Sequence, residues 1–148
     1  MYTYKYPHPA VTADCAVFAP DESGVLSVLL IERKNDPCKG SWALPGGFMN
    51  IDETAEEAAV RELYEETSIH IDAKNVRQIG AYTTVDRDPR ERVITIAFLA
   101  VLPALCAVRG NDDARQARWF RLDHLPPLAF DHAQVMSDAL AIYNSPAQ

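Results

Sequence analysis

The sequence predicts an α+β layer structure, with helices packed on a mixed sheet. Short runs rich in β-branched and aromatic residues recur along the chain, one strongly helical segment interrupts them midway, and a second follows the last of them. The first two strands are "AVTADCAVFA" and "VLSVLLIER", joined by "PDESG", where Pro20 and Gly24 punctuate a hairpin. "NDPCKGS" is a loop, and "WALPGGF" a short strand broken by Pro45, Gly46 and Gly47. "DETAEEAAVRELYEET" has helical composition; Asp52 or Thr54 is placed to cap it, and Glu56 and Glu57 suit the positive end of the helix dipole. "VRQIGAYTTV" and "RVITIAFLAVL" are two further strands around the polar loop "DRDPRE". "ARWFRL" is a short strand and "LPPLAFD" an irregular link, after which Asp131 and Gln134 form a capping-box-like start to a helix ending near Tyr143.

At 148 residues the chain is long enough to bury a core without a disulfide or structural metal, and residues 1–148 read as a single domain without internal repeats. The net charge of −7 argues against a nucleic-acid binder working through a broad basic surface. An acidic protein still holds an anionic substrate where a metal or a few arginines invert the local field. The first residues lack the basic-then-apolar order of a signal peptide, and the longest mostly apolar run, Val93 to Ala107, is too short to cross a bilayer. Cys15, Cys38 and Cys106 have no paired spacing and are expected as free thiols in a reducing compartment. The expectation is a cytoplasmic domain that engages neither nucleic acid nor membrane.

The stretch "RELYEETS", Arg61 to Ser68, sets three glutamates close together on one helix. At 100° per residue, with Glu62 at zero, Glu66 falls at about 40° and Glu65 at about 300°. Ala55, Ala58 and Ala59 fall at about 20°, 320° and 60° on the same wheel, so the acids share the side of the small apolar residues. A solvated acidic face would lie opposite the alanines. Carboxylates aimed at the protein body, near the negative end of the dipole, are unfavourable without a compensating cation. Arg61, four before Glu65, neutralises one of them and leaves a net negative site suited to a hard divalent cation. A charged helix end with no function is the competing reading of these residues alone.

The upstream context decides between them. Gly47 is followed by five residues, Glu53, seven residues, then Arg61-Glu62-Leu63-x-Glu65-Glu66 and finally Ile69. This resembles the box of the Nudix hydrolase family, G-x5-E-x7-R-E-U-x-E-E-x-G-U with U aliphatic, and only the second glycine departs, replaced by Ser68. The resemblance implies an α/β/α sandwich with a mixed β-sheet and a box that binds Mg2+ or Mn2+. It also implies hydrolysis of a nucleoside diphosphate linked to some group X. By position it makes Glu62, Glu65 and Glu66 metal-binding acids and Gly46 a carbonyl ligand. Arg61 would orient the carboxylates, and Glu53 would support the box loop. The general base would be the acid at Glu62's position or one in a later loop, where Glu91, Asp112 and Asp113 are the candidates. Glycine after a helix end supplies a left-handed conformation, and serine there costs about 1 kcal/mol more. Ser68 changes no charge and no metal-binding oxygen, so it is expected to lower stability and leave activity intact.

The resemblance covers most of the chain. "YPHPAVTADCAVF", "VLLIERKNDPCKGSWALPGGF", "DRDPRERVITIAFLAVL" and "DDARQARWFRLDHLPPLAFDH" look like the ADP-ribose pyrophosphatase branch, whose members cleave ADP-ribose to AMP and ribose 5-phosphate and are commonly homodimers. Arg33, Arg87, Arg90 and Arg92 are candidates to hold phosphate or ribose oxygens, with solvated loop charge as the alternative. Trp42, Phe48 and Tyr82 are candidates to stack on adenine, with core packing as the alternative. Asp131 reads first as a helix cap, and His132 as a candidate ligand-facing residue. Two other functions fit the box: hydrolysis of a nucleoside triphosphate or sugar nucleotide, and a sensor that binds ADP-ribose without cleaving it.

Overall fold

The computed structural model describes residues 1–110 and 114–145, with the backbone alone at 115. The strands are β1 (Ala10–Pro20), β2 (Leu26–Arg33), β3 (Trp42–Ala43), β4 (Gly46–Phe48), β5 (Arg77–Tyr82), β6 (Val93–Val101) and β7 (Ala114–Arg121). Helix α1 (Ala55–Thr67) follows β4, and α2 (His132–Tyr143) follows β7. The sheet runs β3-β2-β1-β6-β5, with β4 also on β1 and β7 also on β2. β1 and β6 are parallel from Ala10 opposite Val93 to Phe18 opposite Val101, while β1 and β2 are antiparallel, so the sheet is mixed.

β1 is central and covered on both faces, which is why it reads as an almost unbroken buried run. Ala13, Cys15 and Val17 pack in the cluster that holds Ala58, Ala59 and Leu63 of α1. Ala16 and Phe18 pack on the other side, with Val135, Met136 and Ala139 of α2. One helix on each face makes the α/β/α sandwich that the family resemblance implies. Burial pushes the Cys15 thiol up to about 12, with Asp14 adding to the rise, so it stays protonated in the core. Cys15, Cys38 and Cys106 are all free. Among the described residues no helix is long and apolar enough to cross a membrane.

Thr54, and not Asp52, caps α1: its side chain accepts the Glu57 N–H while the Glu57 side chain accepts the Thr54 N–H. At the other end Ser68 adopts φ +67° and ψ +12° and donates its N–H to the Tyr64 carbonyl, the left-handed exit that its position in the box predicts. The start of α2 departs from expectation. The Asp131 side chain makes no capping bond there, and Gln134 donates to Asp138 instead. The Asp131 carboxylate is taken by Arg87, and an ion pair with a buried guanidinium outcompetes a cap.

Candidate active site

One edge of β1 has two partners in turn, β4 along Thr12–Asp14 and β2 along Phe18–Pro20. A cleft of about 410 Å³ is lined by Thr12 and Asp14 from the β4-paired part of β1 and by Ile31 and Arg33 from the end of β2 beyond its pairing with β1. That volume is in the range of small-ligand sites. Arg33 stands just past an irregularity in the β2–β7 register, the kind of bulge that re-aims a side chain. β4 brings Gly46 and Gly47 to the cleft, and α1 brings Arg61, Glu62 and Glu66. β4 and α1 are so close that a Cβ on Gly47 would lie 2.6 Å from the Glu62 carboxyl carbon, and β4 and β1 so close that one on Gly46 would collide with Asp14 Oδ1.

The three box acids are graded in burial. Glu66 is buried, and its Oε1 accepts the Gly46 N–H at 2.8 Å. Glu62 is mostly enclosed, whereas Glu65 is 40% exposed at its side chain and does not line the cleft. Arg61 ties the group together. Its Nε and Nη2 donate to Glu53 at 3.0 and 2.6 Å, and Nη1 donates to Glu62 and Glu65 at 2.9 and 3.2 Å. Nη2 also reaches the Phe48 carbonyl at 3.0 Å, which pins β4 to α1. These bonds hold the Glu53 carboxyl below its usual range and push Arg61 further from deprotonation. Among the described residues no three His, Cys, Asp or Glu side chains gather closely enough to hold an ion between them. The donor chemistry nevertheless suits a hard divalent cation, since Glu62, Glu66 and the Gly46 carbonyl all present oxygen.

The later arginines separate. Arg33 and Arg90 line the cleft mouth; Arg90 is gripped by the buried Asp88 carboxylate at 3.0 and 2.7 Å. Arg87 also lines the cleft, but its side chain is only 3% exposed and is bidentate to Asp131 at 2.8 and 2.6 Å. Arg92 donates to the Thr84 carbonyl at 3.4 Å and does not line the cleft. Trp42 is absent from the cleft too: its ring packs edge-on to Phe120 at 4.7 Å in the α2-side core. The Tyr82 hydroxyl donates to Asp138, and burial with that partner pushes its pKa up. Phe48 is on the cleft and half-exposed; Glu91 is exposed and off it. Asp112 and Asp113 lie outside the described residues.

His132 is buried in the cleft wall, and its Nδ1 accepts the Leu44 N–H at 3.1 Å. The ring proton is therefore on Nε2, 3.6 Å from Asp14 Oδ2. Asp14 also accepts the Thr95 hydroxyl at 2.6 Å. The sequence reading passes over Asp14, Asp88 and Phe130, all of which line the cleft. Asp14 leaves one trace, the one carboxylate in a mostly apolar strand, which needs a buried partner.

A family model described as the NUDIX domain matches residues 8–139. The chain is 45% identical over 134 residues to an ADP-ribose pyrophosphatase of Methanocaldococcus jannaschii, covering 90% of this chain and 74% of that one. It is 34% identical over 144 residues to the ADPR responsive transcriptional repressor NtrR of Acinetobacter baylyi, covering 95% of this chain but only 56% of the repressor. The structure of the NUDIX domain of Shewanella oneidensis NrtR, complexed with ADP ribose, superposes with a TM-score of 0.87 at 29% identity, covering 97% of this chain and 94% of that one. With its sandwich fold, its box acids and this likeness along most of its length, the chain belongs to the Nudix family, as a pyrophosphohydrolase similar to the ADP-ribose pyrophosphatases.

Proposed function

We propose that the protein hydrolyses ADP-ribose to AMP and ribose 5-phosphate in a metal-dependent reaction. The observation that carries this reading is one cleft holding both the acids Glu62 and Glu66 and the cations Arg33 and Arg90. An anionic diphosphate needs both, since arginines bind its oxygens and carboxylates recruit the ion that shields it. Glu62, Glu66 and the Gly46 carbonyl would hold Mg2+ or Mn2+, and Glu65 would join them by giving up Arg61. When bound, the ion neutralises charge on the pyrophosphate and lowers the pKa of water. Arg61, anchored by Glu53, fixes the directions of the Glu62 and Glu65 carboxylates. Glu62 takes the proton of the attacking water, since among the described candidates for the base it alone lines the cleft. A new P–O bond forms to that water while the bridging P–O bond breaks, and the departing phosphate keeps the bridging oxygen.

The test is a panel of nucleoside diphosphate compounds, nucleoside triphosphates and sugar nucleotides, each with magnesium, manganese or chelator. AMP release that is best from ADP-ribose and abolished by chelator is the expected result; better turnover of another compound overturns the substrate. The likeness to the repressor favours a second reading, a sensor that binds ADP-ribose. Tight binding of ADP-ribose with no turnover of any compound would select it. As part of the same reading, residues 1–148 act as one cytoplasmic domain on a free nucleotide, paired as a homodimer. The net charge of −7 supports a free nucleotide over a nucleic acid, and sedimentation of the purified chain as a monomer would exclude the pairing.

A further inference from the structure

Rings and guanidinium groups alternate across the mouth of the cleft. The Arg90 Cζ lies 5.1 Å from the Phe48 ring centroid and 5.8 Å from that of Phe130, and the Arg33 Cζ lies 5.0 Å from the Phe130 ring on its own account. All three contacts are within cation–π range. The four residues come from separate places, namely the end of β2, β4, the β5–β6 connection and the link before α2.

Phe130 is held there at a conformational cost. Its φ of +52° is in the left-handed region, which suits glycine or asparagine and disfavours a bulky side chain. Strain of this kind persists where the surroundings over-determine it. Here they do: Asp131 is locked to Arg87 and His132 to the Leu44 N–H, so the backbone beyond the ring is fixed. The arginines are restrained at their other contacts, Arg90 by Asp88 and Arg33 by the Pro37 carbonyl at 2.7 Å. Among the described residues Arg33 has no carboxylate at ion-pair distance, and its Nε donates to the Pro37 carbonyl.

We propose that Phe130 is a positioning residue for substrate binding, whose ring sets Arg33 and Arg90 as a preformed clamp for the phosphates of a nucleoside diphosphate. Long side chains lose rotamer freedom when they bind, and a ring that already restricts them reduces that loss. The proposal rests on the pyrophosphohydrolase reading and deepens it, so the test measures ADP affinity by calorimetry without metal as well as ADP-ribose kinetics with magnesium. Phe130→Leu weakens ADP binding about tenfold and raises KM to match, with kcat within about twofold of wild type. Phe130→Tyr restores both. Phe130→Asn suits the left-handed backbone and keeps the fold while losing the ring, and it shows the same loss of affinity at an unchanged melting temperature. In an Arg33→Gln background, Phe130→Leu costs much less, because the two act through one clamp. Wild-type affinity in either ringless variant, a loss confined to kcat, or an undiminished cost in the Arg33→Gln background overturns the proposal, as does a wild-type protein that fails to bind ADP. A wild-type protein that binds ADP but leaves ADP-ribose intact defeats the substrate reading alone.

Discussion

Ser68 takes the left-handed conformation at the end of α1, where its Cβ crowds the backbone by about 1 kcal/mol relative to glycine. Ser68→Gly is therefore expected to raise the unfolding free energy by about 1 kcal/mol in a denaturant titration, with turnover unchanged. An unmoved or lower midpoint would mean that the serine side chain offsets the strain through its own contacts. The proposed chemistry draws on the acids two and three residues earlier. Glu66→Gln keeps the shape that accepts the Gly46 N–H and removes the charge. If the carboxylate acts through a metal, several kcal/mol of transition-state stabilisation go with it, and turnover falls on the order of 10³-fold with folding retained. The same is expected of Glu65→Gln, and there the result is more informative. Glu65 faces Arg61 and not the cleft, so near-normal turnover would remove it from the metal set and leave Glu62 and Glu66 as the ion's carboxylates.

Helix α1 is legible from its own residues because its cap, its alanine stripe and its acids are all local. Thr54 and Glu57 bond across three positions, and Glu66 is buried on the alanine side as the wheel places it. The start of α2 is not legible in that way. Asp131 looks like a cap until Arg87, 44 residues earlier, is brought beside it, and no local periodicity encodes that approach. The pairing has a consequence in acid. Burial alone would raise the Asp131 carboxyl, but the Arg87 bonds and charge outweigh it and leave it below its usual value. Glu53, held by Arg61, is displaced in the same direction. A depressed folded value means that each contribution is complete above the unfolded values of about 4 and is lost as pH falls through the lower folded ones. Asp131→Asn should flatten the acid limb of a stability–pH curve. At pH 7 it should destabilise by about 3 kcal/mol, because it leaves a buried guanidinium without its counter-charge. A variant whose acid limb and neutral stability both match wild type would assign Asp131 no such role.

The order of strands and helices could be read along the chain, and so could the β1–β2 hairpin, but not which distant strands meet. The parallel pairing of β1 with β6 and the antiparallel pairing of β1 with β4 join segments far apart in sequence, and β2 and β4 contribute residues to the cleft together with β1. The same strand couples the two halves of the molecule. Val17 and Phe18 are neighbours in β1, yet one packs in the α1-side core and the other in the α2-side core. Loss of either core should release the strand that supports the other. Leu63→Ala on the α1 side and Met136→Ala on the α2 side are each expected to cost about 2–5 kcal/mol. Each face carries its own reporter, since Trp119 packs against the α1-side core and Trp42 against the α2-side core. With one tryptophan replaced by phenylalanine at a time, the fluorescence of the other follows a single face through denaturant. If β1 couples the faces, Met136→Ala moves the Trp119 transition as far as the Trp42 transition, and both coincide with the loss of far-UV circular dichroism. A Trp119 transition that stays in place while the Trp42 transition shifts would make the two cores independent.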